Sequence, residues 1–258
     1  MKKEWETLEI YAERICLLEE VSSTNDYARS LAQQGAADGT VVIAACQSGG
    51  KGRMGRSFQS PAGKGLYLSI LWRPDCAPSR LFPLTALAAV AVCRAVKQIT
   101  GYELGIKWPN DLVAEKKKVG GILTEMACSG EKVEYVVLGI GLNVHPAAFP
   151  DELADMAASL EEQLSTKISR AALAAALLRQ LDTLRWEVLP QPTLWLEAYR
   201  AACLNLGRTV KLTQNGETAM AIAMAVDEQY GLMVRMMDGS HVVIRSGEVS
   251  VRGLYGYV

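Results

Sequence analysis

Histidine is scarce in this chain of 258 residues, which contains only two, His145 and His241. Because each stands alone in the sequence, neither a histidine metal cluster nor a catalytic triad centred on histidine is expected. The cysteines are scattered as well, without a C-x-x-C pair, and several lie in apolar runs. This pattern predicts reduced thiols and indicates neither disulfides nor a zinc site. The six cysteines are Cys16, Cys46, Cys76, Cys93, Cys128 and Cys203.

A membrane-length apolar run and a strong net charge are also missing. Apolar runs such as Leu84–Cys93 and Ala171–Leu178 are much shorter than the roughly 20 residues that a membrane crossing requires. The start, Met1–Glu6, leads into mixed charge, so no secretory signal is expected. Lys and Arg number 27 against 28 Asp and Glu, which leaves a net charge of −1 and no basic field for nucleic acid. We therefore expect a cytoplasmic globular protein that binds neither membrane nor nucleic acid.

Glycine and positive charge are concentrated in one short segment instead. Residues Gly49–Arg56 hold four glycines and three cations directly after the apolar run Val41–Ala45. The backbone N–H groups of such a loop can turn toward one point, and lysine and arginine add charge. This segment, the glycine–cation loop, predicts a site for phosphate or carboxylate. Taken alone, it is also compatible with a solvated basic turn.

Three further segments place polar groups beside apolar strands. Ser23–Asn25 precedes a helical pattern, and Gln47 ends the strand before the glycine–cation loop. In Lys107–Asp111, the Trp-Pro pair fixes the direction of the lysine and the asparagine. In Gly139–Asn143, glycines end an apolar strand and would let a flat ligand approach the backbone. Each segment alone is also compatible with a structural role, as a helix cap, a turn or a bulge.

Periodicity and turn signals predict a mixture of helices and strands. The expected helices lie between Ser22 and Gly35, at Leu84–Ile99, at Arg170–Val188 behind the cap Ser169, and around Leu194–Cys203. The expected strands are Val41–Ala45, Gly65–Trp72, Leu112–Ala114, Val119–Met126 and Val133–Leu138. The last three of these strands are expected to form an antiparallel meander.

The pattern of the sequence changes near Leu206, from helical segments to short β-rich segments. From there on, turn signals divide the chain into about five β-rich pieces, the spacing of a small barrel. We therefore predict a domain over residues 1–205 and a smaller one over residues 206–258. The turn signals are Asn215–Gly216, Gln229–Gly231, Asp238–Gly239 and Ser246–Gly247.

Taken together, these segments resemble the biotin–protein ligase family. Gly50–Arg56 is similar to the glycine-arginine loop of the family, and Lys107–Asp111 to its Lys-Trp-Pro-Asn-Asp signature. Lys118–Glu125 and Gly139–Asn143 resemble the strands that follow, in the same order and spacing. The resemblance runs from about Glu20 to the C-terminus, and its five-residue signature is highly specific.

Two positions depart from the family pattern. Lys51 stands where arginine is often found, which keeps the charge but loses bidentate geometry. Phe58 stands where tryptophan is often found, which weakens an aromatic surface near the adenine. Near the C-terminus, Ser246–Arg252 resembles the end of the small SH3-like domain of the family.

The resemblance implies a fold and a domain organisation. Residues 1–205 would form an α+β catalytic domain like that of class II aminoacyl-tRNA synthetases, with a mixed, mostly antiparallel sheet packed by helices. Residues 206–258 would form an SH3-like β-barrel. Too few residues precede Glu20 for the winged helix-turn-helix of some relatives, so a monofunctional form without that DNA-binding domain is expected.

The resemblance also implies a reaction and its residues. The biotin carboxylate would attack the α-phosphate of ATP, with Mg²⁺, to give biotinyl-5′-AMP, and a lysine of a biotin carboxyl carrier protein would then accept biotin. The implied biotin-binding residues are Ser23, Thr24, Asn25, Gln47, Lys51, Gly52, Arg53 and Lys107. The implied ATP- or adenylate-binding residues are Gly50, Arg53, Arg56, Phe58, Lys107, Asn110, Gly139, Gly141 and Asn143. Lys107 would be the main electrostatic catalyst, Arg53 would hold the glycine–cation loop shut, and no dedicated protein metal site is expected.

Other functions remain open at this point. A lipoate or octanoate ligase shares the activation of a carboxylate, but its families have a Gly-Gly-Gly run followed by His-Asp, whereas Lys51 and Arg53 interrupt the glycines here. A biotin-responsive binding or regulatory protein would not need Lys107, which is present. An exposed edge strand would allow a homodimer, and the sequence does not identify the acceptor carboxylase subunit.

Overall fold

A seven-stranded sheet forms the centre of the protein in the computed structural model, which describes residues 5, 8, 11–214, 217–245 and 248–251. Its strands are β1 (Ile15–Val21), β2 (Val41–Gln47), β3 (Gly65–Trp72), β4 (Gly105–Lys107), β5 (Asp111–Ala114), β6 (Lys117–Ser129) and β7 (Lys132–Asn143). Their order is β1-β2-β3-β7-β6-β5-β4, and only β1 and β2 pair in parallel. The predicted antiparallel meander is present as β5, β6 and β7.

Six α-helices accompany this sheet in the described part of the chain. They are α1 (Thr24–Gln33), α2 (Leu84–Thr100), α3 (Asp151–Ala154), α4 (Leu160–Leu164), α5 (Arg170–Thr183) and α6 (Leu196–Ala202). The predicted helix at 170–188 continues beyond α5 as a π-helical turn, and a 3₁₀ turn precedes α6. The sequence patterns did not indicate β1, β4, α3 or α4. The last three have only three to five residues, too few to show a period.

The two faces of the sheet carry different layers. Along β3, Leu66, Leu68 and Ile70 join the main core with α2 and α5, whereas Leu71 joins a smaller cluster with α1. Successive side chains of a strand point to opposite faces, so Ser69 lies on the α1 face together with Leu71. The α1 face therefore receives the polar residues of β3, and it is the face on which the site described below is built.

Helix α2 is unusually apolar. The segment Pro78–Thr100 has 23 residues, and among the described residues it is the one helix long and apolar enough to cross a membrane by length and composition. Two thirds of its apolar window, 67%, is buried within the protein, where α2 packs against α5 and the sheet. Packing in the core accounts for its apolar composition.

A second sheet follows the helices. Its strands are β8 (Thr209–Gln214), β9 (Glu217–Val226), β10 (Leu232–Met236), β11 (His241–Ile244) and β12 (Glu248–Val251). Their order is β11-β10-β9-β8-β12, and every described pair is antiparallel. The predicted turns at Gln229–Gly231 and Asp238–Gly239 separate strands as expected. The predicted turns at Asn215–Gly216 and Ser246–Gly247, and Arg252 at the end of the family-like segment, lie outside the described residues.

Candidate active site

The first turn of α1 begins a polar cluster on the α1 face of the sheet. Ser23 caps the helix, because its side chain accepts a hydrogen bond from the backbone N of Asp26. The backbone N and the Oγ1 of Thr24 both donate to Gln47 Oε1, at 2.8 and 3.1 Å. The amide nitrogen of Gln47 in turn donates to Ser60 Oγ at 2.7 Å. Sequence-distant polar groups thus meet at the end of β2, with their bonding directions set by one another.

Asn25 is another buried member of this cluster, with 4% of its surface exposed. Its Oδ1 lies 2.6 Å from Ser69 Oγ, and its Nδ2 donates to Glu125 Oε2 at 2.7 Å. Arg29 Nη1 donates to the other carboxylate oxygen of Glu125 at 3.3 Å. Gly139 makes room for the amide, since a Cβ at residue 139 would lie 2.1 Å from Asn25 Oδ1.

The glycine–cation loop folds back over this cluster. Gly50 packs so tightly that a Cβ there would lie 2.3 Å from the carbonyl oxygen of Phe58. Lys51 Nζ pairs with Asp26 Oδ2 at 2.7 Å, which ties the loop to the first turn of α1. Arg53 Nη1 donates to Asn110 Oδ1 at 3.2 Å, which ties the loop to the turn between β4 and β5. The loop is therefore held at both sides of the site.

An inner cavity of about 50 Å³ lies under the glycine–cation loop. Its floor comes from β6 and β7, where Gly121 pairs with Gly141 and Leu123 pairs with Gly139. Glycine at these register positions removes side chains that would otherwise fill the space. The lining residues are Ser23, Thr24, Asn25, Gln47, Lys51, Gly52, Arg53, Phe58, Asn110, Lys118, Gly121, Ile122, Leu123, Gly139, Ile140 and Gly141.

An outer cavity of about 340 Å³ adjoins the inner one. Arg53 and Asn110 line both cavities, as do Gly52, Phe58 and Lys118, so the hydrogen bond from Arg53 to Asn110 lies at their junction. The lining residues of the outer cavity are Gly52, Arg53, Met54, Arg56, Ser57, Phe58, Lys107, Trp108, Pro109, Asn110, Asp111, Lys118, Leu153, Met156, Ala157 and Val249.

Positive charge dominates the junction. Lys107, only 8% exposed, has its Nζ 3.8 Å from Asp111 Oδ2, and Lys118 Nζ lies 2.7 Å from Asp111 Oδ1. One carboxylate thus stands between two lysines, with Arg53 nearby in the same lining. This excess of positive charge favours an anionic ligand, because the low dielectric of a partly buried site strengthens the attraction between opposite charges. Tyr199 contacts Pro109, which lines the outer cavity. Burial raises the pKa of Tyr199, so its hydroxyl stays protonated and donates to Pro109 O at 3.3 Å.

Known ligases resemble this chain over most of its length. A family model described as the biotin/lipoate A/B protein ligase family matches residues 17–143. The bifunctional ligase/repressor BirA of Bacillus subtilis is 35% identical over 238 residues, which cover 90% of this chain and 72% of that protein. This chain belongs to the biotin–protein ligase family. The biotin–[acetyl-CoA-carboxylase] ligase of Mycobacterium tuberculosis is 34% identical to this ligase over 95% of the chain and 89% of that protein.

Solved structures show the same fold. The biotin protein ligase from Aquifex aeolicus in complex with biotin and ATP superposes on this ligase with a TM-score of 0.77 at 29% identity. The match covers 93% of this chain and 99% of that one. The predicted α+β architecture, with a mostly antiparallel sheet packed by helices, is therefore confirmed at the level of the whole fold.

The predicted site residues of the ligase fall into three groups. Every residue predicted to bind biotin lines the inner cavity except Lys107, which lines the outer one. Of the residues predicted to bind ATP, the outer cavity receives Arg53, Arg56, Phe58, Lys107 and Asn110.

The other four residues predicted to bind ATP lie elsewhere. Gly139 and Gly141 line the inner cavity, whereas Gly50 and Asn143 line neither. Asn143 is buried and donates from Nδ2 to Ala158 O at 3.2 Å, next to Ala157 in the wall of the outer cavity.

Several polar residues of the site escaped the sequence analysis. Lys118 lines both cavities, and its signal was available, since it opens the family-like segment 118–125. Ser69 and Glu125 contact Asn25 from the middle of β3 and β6. Glu125 ends the same family-like segment, whereas Ser69 resembles an ordinary strand residue in sequence. Their partners are far away along the chain, so only the folded sheet identifies them.

Proposed function

We propose that this ligase activates biotin with ATP to form biotinyl-5′-AMP and then transfers biotin to a lysine of a biotin carboxyl carrier protein. The observation that carries the proposal is the junction of two cavities at Arg53 and Asn110, with Lys107 and Lys118 beside it. The inner cavity offers fixed donors and acceptors for a small polar ring such as the ureido ring of biotin. The outer cavity offers space and positive charge for a nucleotide.

Biotin entry requires movement of the glycine–cation loop. The inner cavity, at about 50 Å³, is far below the roughly 300–1,000 Å³ of ordinary small-molecule pockets. Lys51, Gly52 and Arg53 supply part of its lining, so displacement of the loop would enlarge it. Return of the loop over bound ligand would exclude water, which protects the acyl adenylate from hydrolysis.

The first reaction joins two anions and needs charge compensation more than a covalent nucleophile. A biotin carboxylate oxygen forms a bond to the α-phosphorus of ATP while the bond from that phosphorus to the bridging oxygen breaks, and pyrophosphate leaves. In our proposal Lys107, Lys118 and Arg53 offset the repulsion between the carboxylate and the phosphate. They also stabilise the charge that develops on the phosphoryl oxygens.

In the second reaction the neutral amine of the acceptor lysine attacks the acyl carbon of the adenylate. An amide bond forms, AMP leaves with the electron pair of the broken C–O bond, and the amine loses a proton. Until the amine arrives, the singly charged phosphate of the adenylate would remain near Arg53 and Lys107, and these cations would also stabilise the second negative charge that the phosphate gains as AMP leaves.

Mg²⁺ belongs to the proposal as a companion of the ATP phosphates. Among the described residues, no group of three or more His, Cys, Asp or Glu is placed to hold a metal ion. Asn110 and Asp111 carry oxygens at the outer cavity, and Mg²⁺ commonly keeps several waters and binds through phosphates and one or two protein oxygens. This donor set fits an ion that arrives with ATP and neutralises its phosphates.

The finer architecture also belongs to the proposal. We infer that residues 206–258 form an SH3-like unit, supported by the five-stranded antiparallel order β11-β10-β9-β8-β12. Residues 1–205 would then form the catalytic domain. The edge strand β1, at one end of the seven-stranded order, would offer a pairing edge for a homodimer. A cytoplasmic location fits the mixed charge of the chain.

Pyrophosphate exchange tests the proposed activity. Labelled pyrophosphate should enter ATP in the presence of biotin, and lipoate and octanoate in parallel reactions should give no exchange. Exchange driven by lipoate or octanoate would assign the chain to the other branch of its family. Absence of exchange with all three acids, in a folded protein that still binds ATP, would overturn adenylation altogether.

A further inference from the structure

A third cavity, of about 530 Å³, lies at the outer edge of the seven-stranded sheet. It is bounded by α2, α6, β4 and the segment after α6, and we call it the edge cavity. It shares no lining residue with the inner or the outer cavity, and no step of the proposed reaction uses it. Its volume falls in the range of pockets that hold small molecules.

The walls of the edge cavity are apolar. Val90 and Cys93 come from α2, Ile106 from β4, and Ala198 and Ala202 from α6. The thiol of Cys93 belongs to this wall as a neutral group. Burial raises its pKa to about 12, and the sulfur donates a weak hydrogen bond to Leu104 O at 3.8 Å. Among the described residues, none of the buried side-chain nitrogen and oxygen atoms that lack a hydrogen-bond partner belongs to this lining, which suits a hydrocarbon chain.

The rim of the edge cavity is charged and carries more cations than carboxylates. Four cations and two carboxylates line it, which gives a net charge of +2. They are Arg94, Lys97, Lys116, Arg208, Glu103 and Glu115. Lys97 and Glu103 neutralise each other in an ion pair, and Glu115 accepts a hydrogen bond from the hydroxyl of Tyr102.

Two rim cations are available to a ligand. Within residues 11–214, 217–245 and 248–251, neither Lys116 nor Arg208 has an ion-pair partner, and both side chains belong to exposed residues. Arg94 lies 4.3 Å over the ring of Trp195, which orients it without neutralising it. A ligand with one negative charge therefore complements this rim better than a neutral or cationic one.

An added β-strand is a poor occupant, although β4 is the last strand of the sheet. The backbone N of Leu204 donates to Ile106 O at 2.8 Å, and the backbone N of Trp108 donates to Asn205 Oδ1 at 2.7 Å. The hydrogen-bonding groups on which a new strand would depend are thus already taken by the segment after α6. The space beside them favours a compact molecule instead of a peptide.

We propose that the edge cavity binds an aliphatic carboxylic acid, with its hydrocarbon chain between α2 and α6 and its carboxylate at the cationic rim. This site is separate from the proposed biotin and ATP sites and does not depend on their function. Because Ile106 directly precedes Lys107 in β4, the bound acid would contact the strand that carries this lysine.

Calorimetric titration of the full chain with octanoate and decanoate, each below its micelle concentration, tests the proposal. One acid should bind per chain, and affinity should rise about fourfold for each further buried methylene. Decanol should bind more weakly than decanoate, since it lacks the charge that the rim recognises. Equal binding of decanol and decanoate would overturn the assigned chemistry.

Three variants place the binding in the edge cavity. Arg208→Glu should weaken decanoate about tenfold or more, and Ala198→Phe should abolish binding by filling the space between the helices. Lys211→Glu removes a cation of the neighbouring strand β8 that lines none of the three cavities, and it should leave binding unchanged. Arg208 is exposed, so its variant remains informative if Ala198→Phe fails to fold.

Competition with biotin separates the edge cavity from the catalytic site. Decanoate should bind equally well when biotin and ATP are saturating. Displacement of decanoate by biotin, or affinity that survives Arg208→Glu and a folded Ala198→Phe, would place the acid elsewhere and overturn the proposal. If neither octanoate nor decanoate binds at millimolar concentration, the proposal is wrong as well.

Discussion

Glycines on the α1 face set the shape of the inner cavity one residue at a time. A Cβ at residue 139 would lie 2.1 Å from Asn25 Oδ1, and a Cβ at residue 141 would lie 2.6 Å from the ring of Phe58. Neither contact is tolerable for a real side chain. These glycines therefore place an amide and an aromatic ring against the sheet, where larger residues would push both into the space for ligand.

Gly139→Ala should impair biotin binding more than folding. The new methyl group displaces the Asn25 side chain from Ser69 and Glu125, so we expect the KM for biotin to rise about tenfold or more. Titration of biotin in the exchange assay measures this change. Ser129→Ala is the control on the neighbouring strand, because Ser129 lies at the exposed end of β6 and lines neither cavity. Equal KM values for the two variants would contradict the assigned role of Gly139.

Lys107→Gln should lower the rate of adenylation with little effect on biotin affinity. The lysine lines the outer cavity and not the inner one, so in the proposed reaction its charge would act on the phosphate more than on the ring of biotin. Loss of one such group typically costs about 10²–10³ in kcat. Single-turnover formation of adenylate measures the rate, and calorimetry measures biotin affinity. A large loss of affinity with an unchanged rate would instead assign Lys107 to binding.

The ion pair between Lys51 and Asp26 should control how well the glycine–cation loop retains the adenylate. Both side chains are partly exposed, so the pair contributes at most about 1 kcal/mol, or a few-fold in rate. Asp26→Lys should increase release of biotinyl-5′-AMP about threefold to fivefold, measured as biotin appearing on a bystander protein. Asp26→Glu, which keeps a carboxylate at this position, should retain the adenylate as the unchanged ligase does. Equal release from Asp26→Lys and Asp26→Glu would argue against the pair.

Among the elements, α4 is held to its surroundings by one buried carboxylate. Glu161 Oε1 accepts from the backbone N of Ile168 at 2.8 Å, and Glu161 Oε2 lies 3.2 Å from His145 Nδ1. Burial by itself would raise the pKa of this carboxyl. The hydrogen bond from Ile168, together with His145 and Lys167, outweighs burial and holds the pKa below its ordinary value. The ionised form therefore stabilises the junction of α4, the 145 loop and the start of α5.

Glu161→Gln should make the ligase less stable at neutral pH and flatten the pH dependence of its stability. The pKa of Glu161 is lower in the folded than in the unfolded state, so its ionised form stabilises the fold at pH values above the unfolded-state pKa, near 4.3. This stabilisation is lost as the pH falls through the folded-state pKa. We expect a loss of about 1–3 kcal/mol at pH 7 that shrinks below pH 4. Urea unfolding at pH 7, 5, 4 and 3 measures it, with Glu152→Gln on the exposed part of α3 as control. A loss that is constant with pH would contradict this account.

At the scale of the whole molecule, the two sheets share one core. Val210, Ala223 and Leu232 of the second sheet belong to the same buried cluster as Leu66 of the first. Trp108, in the turn between β4 and β5, donates from Nε1 to Tyr230 O at 2.9 Å. The segment that carries the signature lysine thus rests on the second sheet, and the two parts are expected to unfold together.

Trp108→Phe should destabilise the whole chain and not one sheet alone. The variant keeps most of the apolar contact but leaves Tyr230 O without its buried donor, which costs about 1–3 kcal/mol. Denaturant unfolding followed by circular dichroism and by tryptophan fluorescence should show one coincident transition at lower denaturant. Two separated transitions would show that residues 1–205 and 206–258 fold independently.

Particular residues show how far sequence patterns reached. Val41–Ala45 and Gly65–Trp72 were predictable as strands because their apolar runs end at clear turn signals, and Leu84–Ile99 because its length exceeds that of a strand. The strand β1 was not predictable. Its mixed apolar and acidic sequence acquires strand geometry by pairing in parallel with β2, a contact between distant segments.

The sequence by itself determined which chemistry the chain carries, since the glycine–cation loop and the Lys-Trp-Pro-Asn-Asp segment are each local, and residue type and spacing set their bonding capacity. Only the tertiary structure decided how these segments divide between two cavities, that Lys118, Ser69 and Glu125 join them, and that Asn143 does not line either. The physical reason is register: strand pairing brings residues from distant parts of the chain onto one face.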